Sequence, residues 1–152
     1  MMNSLYLNVD HVAGESQDAH HAGWIDVLSH SWGNRRGAAG NALVNYQNLT
    51  VHALIDKATP TMLLYASNGC RLRKVELSAC KAGFGAIEYY RITLENVFVA
   101  QVMLNDSGDL PSVEYEFEAD TVKMQYWEQT AKGGKGAETR YGWDIKNHRS
   151  VL

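Results

Sequence analysis

Alternation of apolar and polar residues dominates this chain and predicts strands along most of its length. In residues 4–10, Leu5, Leu7 and Val9 lie on one side of the backbone and Tyr6 and Asn8 on the other. Side chains of a strand point alternately to opposite faces, so this pattern is typical of a strand with one buried face. Similar patterns predict six further strands, at residues 24–33, 49–55, 71–81, 87–104, 113–128 and 139–145.

One segment, residues 56–70, has the pattern of a helix instead. Thr59 suits the N-cap, Pro60 the first helical position, and Gly69 a left-handed stop. Its predicted apolar stripe consists of Met62, Leu63, Ala66 and, less regularly, Tyr65. A helix of roughly ten residues is marginal alone. We therefore expect it to dock on the β-structure as its plug or cover.

Two long strands change phase in mid-course. The apolar positions of residues 87–104 switch parity at Glu95-Asn96, and those of residues 113–128 switch at Asp120-Thr121. A one-residue slip moves every later side chain to the other face unless a bulge or corner absorbs it. The slips predict a sheet that folds over into a two-sheet β-barrel or sandwich, with one short helix at its side.

The second predicted strand carries the candidate binding residues. On parity, Leu28 and Trp32 share one face, which we expect to point into the core, and Ile25, Val27, Ser29 and Ser31 share the other. Residues 34–45 show no periodicity and predict a long exposed loop, a candidate for contacts outside the subunit. Residues 82–85 predict a hairpin turn, and residues 131–137 a glycine-rich loop.

Composition narrows the class of protein. The 152 residues are 45% hydrophobic and 20% charged, which predicts one globular domain spanning residues 1–152. A formal net charge of −3 provides no electrostatic basis for binding nucleic acid or a membrane. Neither a secretory signal nor a membrane-spanning run is visible. Cys70 and Cys80 bracket a predicted strand and should therefore not pair with each other within a subunit, which leaves a bridge between subunits open.

Candidate catalytic chemistry is sparse. Asp18, His20 and His21 could supply metal ligands in a small metal-dependent hydrolase, but adjacent histidines on an extended loop point apart. Solvated side chains, or hydrogen bonds that pin the loop, explain them better. No nucleophile elbow is present, and residues 133–136 lack the Walker spacing. We predict no catalytic residue, metal or cofactor.

Several blocks in order resemble the Hcp family of type VI secretion. They are Gly14-Glu15-Ser16, Ile25-Asp26-Val27-Leu28, Ser31-Trp32-Gly33, Ile55-Asp56-Lys57-Ala58-Thr59-Pro60, Lys81-Ala82-Gly83, Leu94-Glu95-Asn96-Val97 and Tyr141-Gly142-Trp143-Asp144. His30 departs from the pattern, because many members carry an aromatic residue before Ser31. The resemblance covers nearly the whole chain.

The resemblance implies a structural tube subunit and no enzyme. Its expected partners are further copies of the chain, in stacked hexameric rings, together with effectors, sheath and spike proteins. It also implies assembly in the cytoplasm and then secretion without a signal peptide. The strand with Ser29 and Ser31 would line the lumen, where these two side chains would contact effectors. A tail-tube subunit of a phage-like contractile particle is the alternative with the same architecture.

Overall fold

The computed structural model describes residues 3–38, 43–81 and 87–152. This part of the chain forms ten strands and one helix. In chain order they are β1 (Asn3–Val9), β2 (Ile25–Ser31), β3 (Asn34–Arg36), β4 (Val44–Tyr46), β5 (Leu49–Leu54), α1 (Thr59–Asn68), β6 (Leu72–Lys81), β7 (Ile87–Asp106), β8 (Pro111–Gln129), β9 (Lys135–Asp144) and β10 (Arg149–Ser150).

Six strands close into a barrel in the order β8-β5-β2-β1-β6-β7, because β7 also pairs with β8. Each of these pairings is antiparallel. Strand β9 extends the sheet beyond β8, and β10 pairs with the end of β9. Closure satisfies backbone groups that an open sheet would leave unpaired at its edges. The mainly β, barrel-forming fold predicted from the alternation is confirmed.

The barrel interior is apolar. Side chains at most 1% exposed include Leu7, Ile25, Val51, Leu77, Ile92, Leu94, Val97, Tyr115 and Phe117. Burying one large aliphatic or aromatic side chain contributes about 1.5–3 kcal/mol, so this core is the main source of stability. Cys80 lies near the end of β6 and is fully buried, Cys70 lies just before β6 and is half-buried, and both thiols are free. The prediction that they do not pair is confirmed.

Helix α1 ends as the sequence predicts but begins differently. Gly69 adopts φ 68°, and its N–H donates to the carbonyl of Tyr65 at 3.1 Å. The N-cap is Ala58, with no side-chain cap, so the capping role expected for Thr59 is wrong. The Thr59 hydroxyl instead pairs with the Tyr115 hydroxyl at 2.7 Å in the buried interior. A tertiary partner has replaced the local one.

The helix packs on the barrel through a narrower stripe than expected. Ala58 and Met62 are fully buried, and Tyr65 and Ala66 pack against the core at its margin. Leu63, which was expected to belong to the stripe, is 40% exposed. The spacing of the buried positions is the i, i+4, i+7, i+8 spacing of one helix face. The helix therefore covers the barrel, as predicted, without Leu63.

The predicted phase change is present in β7 and β8. Buried residues switch from Ile92 and Leu94 to Val97 and Val99, with Asn96 at φ 56° between them. The pairing of β7 with β8 keeps its register across this point. The left-handed backbone of Asn96 therefore switches which residues face the core, and neither strand has an extra residue at this point. A register shift does occur further on, between Val99 and Gln101.

Two of the three loop predictions differ from the structure, and the third lies outside the described residues. Residues 34–45 were expected to form an unstructured loop, but within them β3 pairs antiparallel with β4. Residues 39–42 lie outside the described part, as does the hairpin turn predicted at residues 82–85. Strand β9 already begins at Lys135, inside the predicted glycine-rich loop. Its register with β8 reaches back to Gln129 opposite Lys135, so strand pairing overrides the local glycines.

Candidate functional site

At Leu28, the alternation of buried and exposed side chains along β2 changes phase. Val27 pairs with Ala53 and Ser29 pairs with His52, so Leu28 is an additional residue with no partner on β5. Ile25 and Val27 are buried, and Leu28 is 50% exposed. The expectation that Leu28 faces the core is therefore wrong. A bulge inserts one residue and inverts the alternation beyond it, which uniform parity could not anticipate.

Beyond the bulge, Ser29 and Ser31 are exposed and lie on the outer side of the barrel. Trp32 packs partly against the core, as the parity argument predicted. The Gln47 amide donates a hydrogen bond to the Ser31 hydroxyl at 2.8 Å. The Ser29 hydroxyl lies 3.5 Å from Nδ1 of His52. The two serines thus belong to a polar surface shared with β5 and the segment before it.

Strand register extends this surface across four strands. Ser31 is opposite Thr50, and Ser29 is opposite His52. Residues directly opposite each other in a sheet share a face. The two rows continue onto β8 and β7, and together they form what we call the serine face: Ser29, Ser31, Thr50, His52, Glu114, Glu116, Gln101 and Met103.

The serine face is acidic to neutral in charge. None of the 14 lysines and arginines lies in residues 25–31, 49–54, 99–106 or 111–118, which carry this surface. Glu114 lies 3.7 Å from Nε2 of His52, and Glu116 accepts a hydrogen bond from the Asn48 amide at 2.9 Å. Both carboxylates are half-buried and oriented by neighbours. The face therefore offers hydroxyl, amide and carboxylate groups to a partner.

The loop before β2 contains a second polar cluster, which sequence reasoning identified only in part. His21 is 5% exposed; its Nδ1 lies 2.6 Å from the Asp18 carboxylate and its Nε2 lies 3.1 Å from the Ser78 hydroxyl. The imidazole stacks on the Tyr6 ring at a centroid distance of 4.3 Å. The hydrogen bond from His21 lowers the pKa of Asp18. The loop is thus pinned by hydrogen bonds, the interpretation preferred above.

Asp18, His21 and Ser78 are connected in the order of a hydrolytic triad, yet they do not form one. Ser78 is fully buried, and its hydroxyl donates to the Glu88 carboxylate at 2.7 Å. A nucleophilic hydroxyl must be reachable by substrate and free to lose its proton to the histidine. Ser78 meets neither condition. Burial alone would raise the pKa of Glu88, but hydrogen bonds from Ser78, Arg91 and Lys135 outweigh burial and lower that pKa.

The metal-dependent hydrolase considered above finds no geometric support. His20 is exposed and contacts Asp18 only through its backbone N–H, at 3.1 Å. Within residues 3–38, 43–81 and 87–152, no three His, Cys, Asp or Glu side chains are grouped as metal ligands. Asp18 and His21 bind each other and face into the protein. They therefore act as structural groups.

Comparison with known proteins agrees with this architecture. Residues 6–132 match the family described as "Type VI secretion system effector, Hcp". The chain is 34% identical to protein hcp1 of Pseudomonas aeruginosa, over 97% of this chain and 98% of that protein. The crystal structure of Hcp1 from Salmonella typhimurium superposes with a TM-score of 0.81 at 27% identity, covering 99% of this chain and 100% of that one.

A further solved structure, described as a type six secretion system protein, has a TM-score of 0.91 at 22% identity, over 99% of this chain and 100% of that chain, and shows the shared fold. The closed six-strand barrel with one helix at its side defines the class of fold. The chain belongs to the Hcp family, the tube proteins of type VI secretion. No helix of the described residues is long and apolar enough to cross a membrane.

Proposed function

We propose that this chain forms hexameric rings that stack into a tube, with the serine face lining the lumen and contacting cargo proteins. Family membership supports self-assembly and partners within the secretion system. One observation carries the assignment of the face: Ser29 and Ser31 point outward from a four-strand surface whose other side is core. Such a surface is continuous, rigid and solvated.

In this proposal the chain acts as one domain with a structural rather than catalytic role. The rings assemble in the cytoplasm, contact sheath and spike proteins, and are then exported without a signal peptide. The polar lining suits transient contact, because hydroxyl and amide groups exchange hydrogen bonds with water and cargo at little net cost. Effector proteins of the same secretion system are the proposed cargo.

The first prediction concerns assembly. Purified protein at tens of micromolar should give, by light scattering, a particle of six subunits, and negative-stain images should show closed rings. In a closed ring, every subunit makes the same two contacts with its neighbours, so no contact surface is left exposed. A stable monomer under these conditions would contradict the ring, whatever the role of the serine face.

The second prediction separates assembly from cargo contact. Ser31→Glu should leave rings intact, because a carboxylate at this exposed position can still accept the Gln47 hydrogen bond. It should lower the amount of effector proteins recovered with rings from the native bacterium, through bulk and desolvation cost. Ser67→Glu, the same change on the exposed side of α1, is the matched control. Equal recovery with both variants would remove the serine face as the cargo surface.

A further inference from the structure

Three contacts in a row connect the loop before β2 to strands β6 and β7. The Asp18 carboxylate lies 2.6 Å from Nδ1 of His21. Nε2 of His21 lies 3.1 Å from the Ser78 hydroxyl, which lies 2.7 Å from the Glu88 carboxylate. All three distances are those of hydrogen bonds. Since His21 is 5% exposed and Ser78 is fully buried, neighbouring side chains rather than bulk water set the protonation of this row.

The number of protons in this row follows from its contacts. Each contact needs one proton between its two polar atoms, because two facing lone pairs at these distances repel each other. A neutral imidazole carries one N–H, a serine hydroxyl carries one O–H, and an ionised carboxylate carries no proton. Together these groups supply two protons for three contacts. One additional proton is therefore bound, and Asp18, His21 and Glu88 are the groups that can carry it.

Neighbouring donors keep the Asp18 carboxylate ionised. Besides the contact with His21, the backbone N–H of His20 donates to Asp18 at 3.1 Å. The hydrogen bond from His21 is the largest cause that lowers the pKa of Asp18, and burial opposes it only in part. The additional proton is therefore not carried by Asp18.

Glu88 is ionised for a similar reason. Nε of Arg91 donates to Glu88 at 2.7 Å and Nζ of Lys135 donates at 3.0 Å, in addition to the hydrogen bond from the Ser78 hydroxyl. Burial is the largest single influence and raises the pKa of Glu88, but these hydrogen bonds together outweigh burial and lower the pKa. The imidazole of His21 is thus left as the carrier of the additional proton.

The surroundings of the His21 ring suit a cation. The ring stacks on Tyr6 at a centroid distance of 4.3 Å, and the Trp24 ring meets it at 4.8 Å and 81°. The faces of aromatic rings attract positive charge. Arg91 and Lys135 are themselves paired with Glu88, so the Asp18 carboxylate remains as the counter-charge that a buried imidazolium requires. The titratable and charged side chains around the imidazole, apart from Tyr6, are Asp18 and His20 in its own loop, Lys74, Glu76 and Cys80 on β6, Glu88 and Arg91 on β7, and Lys135 on β9.

We propose that His21 is a buried imidazolium whose second proton acts as a pH-sensitive latch, holding the loop of residues 10–24 on the barrel. A proton that the folded state binds and the unfolded chain has released stabilises the folded state at low pH, and this contribution is lost as pH rises. Without that proton, one contact in the row has two facing lone pairs, so the row must open. The latch lies within one subunit and does not depend on the proposed tube function.

Opening of the row would loosen the loop while the barrel stays folded. The loop has backbone hydrogen bonds of its own, such as the one from Gly14 to the carbonyl of Gly23 at 2.7 Å. His21 links the loop to β6 through Ser78. The backbone N–H groups of His20 and His21 both donate to Asp18, so their protection from solvent reports on the state of the latch.

The first test is nitrogen-15 NMR spectroscopy of the full chain with labelled histidine, at about pH 7.5, where a histidine in water is mostly neutral. Protonated and unprotonated ring nitrogens differ in chemical shift, so the spectrum distinguishes an imidazolium from both neutral tautomers. We expect both ring nitrogens of His21 to carry a proton, with the exposed His20 ring as the reference in the same spectrum. An unprotonated ring nitrogen on His21 would overturn the proposal.

Ser78→Ala tests the proton count. It removes the acceptor of Nε2, and the remaining contact with Asp18 needs only the single N–H of a neutral imidazole. We expect Nε2 of His21 to lose its proton at the same pH. Ser112→Ala, which removes a strand serine that donates to the Asn105 carbonyl, is the matched control and should leave both protons in place. Retention of both protons in Ser78→Ala would contradict the latch, and the wild-type spectrum decides the protonation state even if this variant does not fold.

Amide hydrogen exchange of the wild-type protein tests the release of the loop. When pH is raised until His21 loses its second proton, the amides of His20 and His21 should lose about tenfold in protection, the equivalent of one hydrogen bond. Rates are corrected for the intrinsic effect of pH, and the Leu77 amide on β6 is the reference that should stay protected. Unchanged protection at both histidines would rule out the latch. An equal loss at Leu77 would rule it out as well, because the whole barrel would then be opening.

Discussion

At the scale of single residues, the most informative group is the carboxylate of Asp18. It binds the buried His21 imidazole at 2.6 Å and accepts the backbone N–H of His20 at 3.1 Å. The first of these bonds is the largest reason why the Asp18 pKa lies below its ordinary value. A carboxyl group with a depressed pKa stabilises the folded state above its unfolded pKa, and that stabilisation is lost as pH falls through the folded pKa.

We therefore expect Asp18→Asn to lower the free energy of unfolding near pH 6. The gap between wild type and variant should narrow from about pH 4 downward, since the ordinary Asp pKa is about 3.9 and the folded value is lower. Urea unfolding at pH 6 and near pH 3 measures both values. Asp109→Asn, at an exposed position, is the control and should show no such narrowing. A constant gap across this range would argue against the Asp18–His21 bond as a source of stability.

At the scale of elements, the corner in β7 and β8 depends on one backbone conformation. Asn96 has φ 56°, and its amide donates to Asp120, which also accepts from Arg71 at 3.1 Å. Asparagine tolerates the left-handed region better than most residues, whereas a β-carbon otherwise costs about 1–2 kcal/mol there. The corner keeps the buried positions on both sides of it facing the core, within residues 92–99 of β7 and 113–122 of β8.

Two substitutions isolate the conformational part of this effect. Asn96→Gly and Asn96→Ala both remove the amide, but only glycine keeps free access to positive φ. We expect Asn96→Ala to lower the free energy of unfolding by about 1 kcal/mol more than Asn96→Gly. Chemical denaturation of the two variants measures the difference. If alanine were tolerated as well as glycine, the corner would not depend on the left-handed residue.

At the scale of the whole molecule, charge is divided between the two sides of the barrel. The serine face carries carboxylates without lysine or arginine. Strands β6, β7 and β9 carry the lysines and arginines that pair with Glu76, Glu88 and Glu138. In the proposed ring, six copies of the serine face would surround one channel. The free energy of unfolding would then depend on association between subunits as well as on the core of each subunit.

The midpoint of thermal unfolding should consequently rise with protein concentration. Association that involves only folded subunits shifts the folding equilibrium by mass action. Scanning calorimetry at concentrations differing by about a hundredfold, under conditions where unfolding is reversible, measures this shift. A midpoint that does not change with concentration would indicate that the folded state is monomeric over the range measured.

The sequence by itself determined the features that depend on neighbouring residues along the chain. Alternation located the barrel strands, because one-sided burial repeats every second residue. Gly69 predicted the end of α1, since a left-handed stop is a local requirement. The parity changes at Asn96 and Asp120 indicated a corner, because alternation is also a pattern of neighbouring residues. The order of motif blocks along the chain was sufficient for the family.

Only the tertiary structure decided what depends on distant partners. Leu28 lies in a bulge because the register between β2 and β5 shifts by one residue there, and no residue of β2 itself indicates this shift. His21 and Ser78 are 57 positions apart, and His30 and Tyr90 are 60 apart, so no local spacing could join them. Thr59 lost its predicted capping role to the hydroxyl of Tyr115. Strand register and side-chain partners are set by the closed barrel, where the burial of apolar surface outweighs local preference.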